Sequence, residues 1–190
     1  GSAIGGDLAR AIGEPDLRCP MTVNRTYGLP GFVDASTLVI ACSYSGNTEE
    51  TLSAYEQARR AGARILCITS GGKLEAGAKQ EGHTVLSLPG GLPPRAALGH
   101  SLVALLAALQ AAGVLPDLSG SFRETIGMLR ELRGRYRAEN PAALNPAKRI
   151  AGSLAGKIAA VYGSAGILEA AAYRWRSQIA ENAKNLASHH

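Results

Sequence analysis

The sequence predicts an α/β fold in which helices cover a parallel β-sheet. Residues 37–42 and 64–69 form apolar runs without polar alternation, the pattern typical of strands buried on both faces. Stretches of helical character separate these runs, and such alternation favours parallel strands joined by crossover helices. The order of strand, Gly/Ser turn and helix occurs again around residues 157–167. The same local arrangement is therefore expected at two places in the chain.

Local signals define each element. Gly62 and Pro141 are expected to end helices, since glycine favours the left-handed cap and proline cannot continue a helix. The elements predicted in chain order are strand 37–42, helix 48–61, strand 64–69, a short helix through residue 79, strand 84–88, a stiff proline-rich loop 89–94, an apolar helix 96–112, a charged helix 121–140, a connection 141–155 with a helical second half, strand 157–162 and helix 167–186.

Composition excludes several classes of protein. Hydrophobic residues make up 46% of the 190 residues and charged residues 18%, a composition typical of a globular domain rather than a disordered chain. The longest apolar stretch, residues 96–115, contains glycine, histidine, serine and glutamine and is interpreted as a buried helix. The start has no signal-peptide pattern. The three cysteines, Cys19, Cys42 and Cys67, lack metal-ligand spacing, and we expect reduced thiols in a cytoplasmic protein.

The net charge of +5 comes largely from arginines and lysines between residues 123 and 149. Glutamates alternate with them and no aromatic stacking platform accompanies them, so we expect no nucleic-acid partner. A solvated helix face, or attraction for small anionic substrates, explains the charge better.

Residues 43–48, here called the serine loop, follow the first apolar run and read Ser-Tyr-Ser-Gly-Asn-Thr. Anions bind at such a position, because the following helix presents unpaired backbone N–H groups and the positive end of its dipole. Ser43, Ser45 and Thr48 add three hydroxyls, and Asn47 with Glu50 predicts a capping box. The loop is thus either a phosphate site or an ordinary hydroxyl-rich turn, since these residue types also favour turns.

Four motifs in order resemble the sugar isomerase (SIS) family, and within it the bifunctional phosphoglucose/phosphomannose isomerases. They are Gly-Ser-Ala-Ile-Gly-Gly-Asp at residues 1–7, Cys-Ser-Tyr-Ser-Gly-Asn-Thr-Glu-Glu at 42–50, Pro-Arg-Ala-Ala-Leu-Gly at 94–99 and Gln-Ile-Ala-Glu-Asn-Ala-Lys at 178–184. The resemblance spans nearly the whole chain. It implies a three-layer αβα, flavodoxin-like parallel sheet in tandem SIS subdomains: a first SIS domain over 1–115, a helical connection over 116–155 and the start of a second, truncated SIS domain over 156–190.

The resemblance also implies an activity: interconversion of glucose 6-phosphate, and mannose 6-phosphate, with fructose 6-phosphate through an enediol(ate). Glu181 matches the family's catalytic base, and Arg95 matches the cation beside the developing enediolate. The residues that match the family's sugar-binding and phosphate-binding positions are Gly1, Ser2, Ser43, Ser45 and Thr48. The family implies a homodimer with a shared active site in the cytoplasm, without metal, cofactor, nucleic acid or membrane.

One part of the family pattern is missing from the sequence. The family carries a further catalytic histidine, in a His-Asn-Glu motif downstream of the glutamate helix, which opens the sugar ring and comes from the partner subunit. None of the four histidines stands in that context: His83, His100, His189 and His190. We therefore expect the chain to be part of a longer two-domain polypeptide.

Helical spacing predicts the direction of the Glu181 side chain independently of the resemblance. A helix over 167–186 has one apolar stripe, formed by Ala172, Trp175, Ile179, Ala183 and Leu186, and an opposite polar one, formed by Arg174, Ser177, Glu181, Lys184 and Ser188. Glu181 then faces away from the core of its helix. The alternative is an exposed glutamate paired with a nearby lysine or arginine.

The sequence is compatible with two classes of function. The intact pair Arg95 and Glu181 favours an isomerase, whereas the missing histidine favours a non-catalytic sugar-phosphate-binding module, the role that SIS domains have in regulators and transferases. A nucleotide-binding Rossmann domain is a distant third, because residues 1–6 lack the G-x-G-x-x-G spacing.

Overall fold

The structure is a computed structural model that describes residues 2–190, except for the side chain of Ser2. Gly1 and the Ser2 side chain, both matched to a sugar-binding turn, therefore lie outside the described residues. The chain forms two compact units, the first ending at Leu115 and the second comprising Pro116–His190.

The first unit contains most of the regular structure. Its elements in chain order are α1 (Ser2–Gly13), β1 (Leu38–Cys42), α2 (Glu49–Arg60), β2 (Arg64–Thr69), α3 (Gly72–Gln80), β3 (Thr84–Ser87), a 3₁₀ turn (Pro94–Ala96) and α4 (Leu98–Ala111). The second unit contains α5 (Ser119–Arg135), a 3₁₀ turn (Ala142–Leu144), α6 (Pro146–Leu154), β4 (Ala159–Val161), α7 (Ile167–Gln178), a π-helical turn (Ile179–Ala183) and β5 (Ala187–His189).

The three strands of the first unit form a parallel sheet in the order β1-β2-β3. Val39 pairs with Ile65, and Cys67 pairs with Val85. Because the strands are parallel and in register, their carboxyl ends lie at one edge of the sheet. The loops after β1, β2 and β3 are therefore neighbours, and this edge is where α/β folds bind ligands.

Helices cover both faces of this sheet. On one face, α2 and α3 place Tyr55, Ala58, Leu74 and Ala78 against Ala41, Ile65 and Cys67 of the strands. Leu74 is fully buried, and burial of a leucine side chain stabilises a fold by about 1.5–3 kcal/mol. α4 contacts β2 and also packs against α1. The predicted α/β class with helix, sheet and helix layers is confirmed for this unit.

A buried helix cap and a short two-stranded sheet stabilise the second unit. The Asn145 side chain, only 2% exposed, accepts hydrogen bonds from the backbone N–H groups of Ala147 and Lys148 and donates one to the Arg137 carbonyl. Asn145 thus caps α6 and links its start to the segment that follows α5. β4 and β5 pair in parallel, with Ala159 opposite Ala187, and α7 contacts both strands.

The last predicted helix differs from the observed structure. A continuous helix was expected over 167–186, but α7 ends at Gln178, a π-helical turn follows, and Lys184 adopts a left-handed conformation with φ of 53°. The left-handed residue ends the helical path, as glycine does in many helix caps. Residues 187–189 then form β5, which was not predicted. The expected apolar stripe is only partly covered, because Trp175 is 50% and Leu186 72% exposed.

The cysteines differ in exposure to solvent. The three thiols form no disulfide among the described residues; Cys19 is exposed, and burial raises the pKa of the Cys67 thiol to about 11. Because the thiolate is the nucleophile, we expect iodoacetamide to label Cys19 in the folded chain and Cys67 only after unfolding. Mass spectrometry of the labelled peptides measures both rates. Equal labelling of the two thiols in native buffer would contradict the buried position of Cys67.

Over residues 2–190, no helix combines the length and the apolar character needed to cross a membrane.

Candidate functional site

The serine loop lies at the carboxyl edge of the first sheet. The Ser43 N–H donates to the Ile68 carbonyl at 3.0 Å, which extends the pairing of β1 with β2 by one bond. The chain then turns through residues 44–48 and enters α2 at Glu49. The loop therefore meets the amino end of α2, where unpaired backbone N–H groups and the helix dipole favour an anion.

The three hydroxyls of the loop have different surroundings. Ser43 is buried, and its Oγ accepts a hydrogen bond from the Gly46 N–H at 3.1 Å and lies 2.9 Å from Thr48 Oγ1. Ser45 and Thr48 are exposed. Ser43 thus fixes the shape of the loop and orients the Thr48 hydroxyl, while Ser45 and Thr48 face the solvent, where a ligand can reach them.

Replacing Ser43 by alanine is expected to lower the free energy of unfolding by about 1–3 kcal/mol, because a buried hydroxyl with two partners is lost. Ser45→Ala is the matched control: the exposed hydroxyl accepts only a 3.3 Å bond from the Asn47 N–H, and we expect a change within about 0.5 kcal/mol. Denaturant unfolding measures both values. Equal losses for the two variants would mean that Ser43 does not organise the loop.

The prediction of a capping box at Asn47 and Glu50 is wrong. The residue that precedes α2 is Thr48, and no side chain caps the helix. The Asn47 Oδ1 instead accepts a hydrogen bond from the backbone N–H of Lys73 at 3.1 Å. A contact to the next strand-end loop has replaced the local cap, and local sequence signals carry no information about such a partner.

Two glycines allow the serine loop to press against the loop after β2. Gly46 has φ of 68°, and a Cβ added there would lie 1.8 Å from the Gly71 carbonyl oxygen. Gly72 has φ of 74°, and its Cβ would lie 2.4 Å from the Ser45 carbonyl oxygen. Only glycine fits these conformations at this separation. The close approach brings the start of α3 beside the start of α2, so two helix amino ends meet at this edge.

Tyr44 connects all three strand-end loops. Its backbone carbonyl accepts hydrogen bonds from the Ser70 N–H at 3.0 Å and the Ser70 Oγ at 2.6 Å, after β2. Its hydroxyl donates to the Pro89 carbonyl at 2.8 Å and accepts from the Leu92 N–H at 3.1 Å, after β3. The role of this residue was not predicted from the sequence, where the only signal was an aromatic residue among small ones.

Arg95 lies in the loop that follows β3, residues 88–97, here called the Arg95 loop. It occupies the middle of the 3₁₀ turn Pro94–Ala96 and is exposed, whereas Ala97 is buried and begins the transition to α4. Pro94 is the first residue of the turn, a position where the missing N–H of proline is tolerated. The apolar helix predicted from residue 96 begins at Leu98.

Glu181 belongs to the second unit. It is exposed and lies in the π-helical turn Ile179–Ala183. π turns are rare and are frequently found at functional sites. The turn also changes the spacing of side chains after Gln178, so the α-helical stripes do not describe the direction of Glu181.

The structure therefore assembles part of the predicted site within one unit. Ser43, Ser45 and Thr48 lie together at the start of α2, and hydrogen bonds through Tyr44 connect their loop to the Arg95 loop. Glu181 stands in the other unit. Among residues 2–190, no three His, Cys, Asp or Glu side chains are grouped closely enough to hold a metal ion.

Sequence comparison identifies relatives of the chain. The SIS domain model matches residues 27–115, and the model of the bacterial phospho-glucose isomerase C-terminal SIS domain matches residues 143–190. A bifunctional phosphoglucose/phosphomannose isomerase of Caldicellulosiruptor bescii is 48% identical over 98% of this chain and 55% of its own length. The enzyme of the same name from Thermoplasma acidophilum is 38% identical, over 98% and 54%. The chain spans about half the length of these curated relatives.

Solved structures share the fold. The C-terminal domain of glucosamine-fructose-6-phosphate aminotransferase from Francisella tularensis superposes with a TM-score of 0.72 at 17% identity, over 100% of this chain and 55% of that one. Tagatose-6-phosphate ketose/aldose isomerase from Escherichia coli superposes with a TM-score of 0.55 at 22% identity, over 100% and 53%. The family expected from the four motifs is confirmed: the chain belongs to the SIS (sugar isomerase) domain family and is similar to its bifunctional phosphoglucose/phosphomannose isomerases.

Proposed function

We propose that the natural polypeptide containing this chain interconverts glucose 6-phosphate, and mannose 6-phosphate, with fructose 6-phosphate. The observation that carries the proposal is the serine loop at the sheet edge, joined by hydrogen bonds to the Arg95 loop, in a chain 48% identical to a bifunctional phosphoglucose/phosphomannose isomerase. Because the chain spans about half of such relatives, this activity is a proposal for the whole polypeptide.

The phosphate group is held at the start of α2 in this proposal. Its oxygens accept hydrogen bonds from Ser45 and Thr48, the exposed hydroxyls of the loop, and from backbone N–H groups at the amino end of the helix. Ser43 supports this arrangement through its bond to Thr48. Glu49 and Glu50 in the first turn stabilise the helix but add negative charge near the anion.

The chemistry moves a proton between C2 and C1 of the open-chain sugar. Glu181 acts as the base that removes the proton from one carbon and returns it to the other, and the enediolate carries negative charge between the two transfers. The guanidinium of Arg95 stabilises this charge, since a cation beside a developing oxyanion lowers the barrier more than it stabilises the neutral sugar. Neither transfer consumes an oxidant, a nucleotide or a metal ion.

A homodimer with a shared active site in the cytoplasm completes the proposal. The ring-opening histidine is then supplied by a segment that follows the glutamate in the family pattern and comes from the partner subunit. Glucose and mannose 6-phosphates share C3 to C6 and differ only at C2, and both pass through the same enediolate, so one base and one cation serve both substrates.

The test measures isomerisation of fructose 6-phosphate by the natural polypeptide that contains these 190 residues, beside the 190-residue chain alone. Turnover by the natural polypeptide supports the isomerase. The absence of turnover, together with saturable binding of fructose 6-phosphate by the chain, would instead establish a non-catalytic sugar-phosphate-binding module. Arg95→Lys is an informative variant, because lysine keeps the charge but loses the planar fork of donors.

A further inference from the structure

Tyr44 places a buried aromatic side chain in the middle of a loop of small residues. The side chain is 7% exposed, and both hydrogen-bonding functions of its hydroxyl are used, toward the Pro89 carbonyl and the Leu92 N–H. Both partners belong to the Arg95 loop. A tyrosine at this position therefore does something that a phenylalanine cannot do: it holds two points of a loop 45 residues and more along the chain.

The two points lie on either side of the most conformationally free part of that loop. Gly90 and Gly91 separate Pro89 from Leu92, and a Cβ added at either glycine would meet no described atom within 4 Å. Gly91 also has φ of 86°, a conformation with little cost for glycine. Fixing a glycine costs more backbone entropy than fixing other residues. The Tyr44 hydroxyl binds Pro89 and Leu92, the residues on either side of the two glycines. These two hydrogen bonds offset the entropy cost of fixing the glycines.

Beyond Leu92 the path to the arginine is stiff. Pro93 and Pro94 restrict φ, and the carbonyl of Pro93 accepts a hydrogen bond from the Ala96 N–H at 2.8 Å. Ala97, 1% exposed, anchors the far end of the turn at the start of α4. Fixing the backbone of Leu92 therefore also fixes where the backbone of Arg95 stands relative to the serine loop.

We propose that Tyr44 is a positioning residue whose hydroxyl holds the Arg95 loop in place relative to the serine loop. The role of Arg95 as the anion stabiliser rests on the proposed isomerase function, whereas the loop contact does not. Because the hydroxyl acts on the cation and not on the phosphate, its loss affects the chemical step more than the binding of the phosphate group. A misplacement of about 1 Å in a catalytic group can lower a rate about 100-fold.

Tyr44→Phe in the natural polypeptide tests this, with Tyr55→Phe as the matched control. Tyr55 is 3% exposed, and its hydroxyl has no hydrogen-bond partner among the described residues, so the control removes a buried hydroxyl that positions nothing. We expect Tyr44→Phe to lower kcat about 10- to 100-fold while KM for fructose 6-phosphate and the inhibition constant of inorganic phosphate change less than about twofold. A kcat equal to that of Tyr55→Phe, or an equal loss of phosphate affinity and kcat, would overturn the proposal.

Hydrogen exchange in the 190-residue chain separates this proposal from the isomerase function, because it needs no turnover. In the Arg95 loop the prolines carry no N–H, and the Leu92 amide donates to the Tyr44 hydroxyl. We expect Tyr44→Phe, and not Tyr55→Phe, to accelerate exchange in the peptide that contains residues 90–97. Unchanged exchange overturns the positioning role even in an active enzyme. Accelerated exchange beside a wild-type polypeptide without turnover supports the loop contact and refutes the isomerase.

Discussion

Replacing Glu181 by glutamine is expected to lower kcat for fructose 6-phosphate isomerisation by about 100- to 10,000-fold, the contribution typical of a general base. The amide keeps the size and hydrogen-bonding shape of the side chain but cannot accept the proton from the sugar carbon. The serine loop belongs to the other unit and is unchanged, so the phosphate ester should bind with nearly normal affinity. Steady-state kinetics give kcat, and inhibition by inorganic phosphate reports on the phosphate site.

Glu169→Gln is the matched control for this variant. Glu169 is an exposed glutamate in the first turn of α7, in the same unit as Glu181, and its replacement makes the same change of charge. We expect kcat to stay within about twofold and the helix to lose only about 0.3–1 kcal/mol of dipole stabilisation. If Glu181→Gln kept the turnover of Glu169→Gln, Glu181 would not be the base, and the conclusion drawn from the motif at residues 178–184 would be wrong.

The parts of the fold that could be predicted depend on local signals. β1 and β2 are continuous apolar runs, and both were placed within one residue of the observed bounds. α2 ends where Gly62 adopts φ of 71°, a conformation that local sequence favours because it is glycine. The position of the serine loop could also be predicted from the order of residues 37–48. A buried strand that runs directly into hydroxyl-rich residues must leave the sheet at its carboxyl edge.

The remaining features depend on contacts between residues distant in sequence. Asn47 was predicted to cap its own helix, but its oxygen binds the backbone of Lys73, 26 residues later. Tyr44 binds the Arg95 loop, and the residues next to Tyr44 in sequence do not indicate that contact. Lys184 takes a left-handed conformation that single residues other than glycine rarely adopt, and β5 forms by parallel pairing with β4, with Ala187 opposite Ala159. For Asn47, Tyr44 and β5 the partner that stabilises the conformation lies elsewhere in the chain.

The closeness of the serine loop to the loop after β2 leads to the largest expected effect on stability. An alanine at Gly46 would place its Cβ 1.8 Å from the Gly71 carbonyl oxygen and 2.9 Å from Thr69 Oγ1. The obstacle is the backbone of the loop between β2 and α3, which cannot rotate away as a side chain can. We expect Gly46→Ala to lower the free energy of unfolding by about 4 kcal/mol or more, which is exceptional for a single substitution, and to abolish binding of inorganic phosphate by the chain.

Two reasons underlie this loss: the left-handed conformation at Gly46 and the collision of its added Cβ with Gly71. Gly62→Ala separates them. Gly62 has φ of 71°, nearly the same as the 68° of Gly46, but a Cβ there would meet no described atom within 4 Å. Its substitution therefore carries the left-handed strain alone, about 1–2 kcal/mol, and should leave phosphate binding intact. Denaturant unfolding and phosphate titration of both variants give the comparison. If the two variants lost equal stability, the serine loop could move away from Gly71 at little cost, and the fixed geometry that the phosphate site requires would not exist.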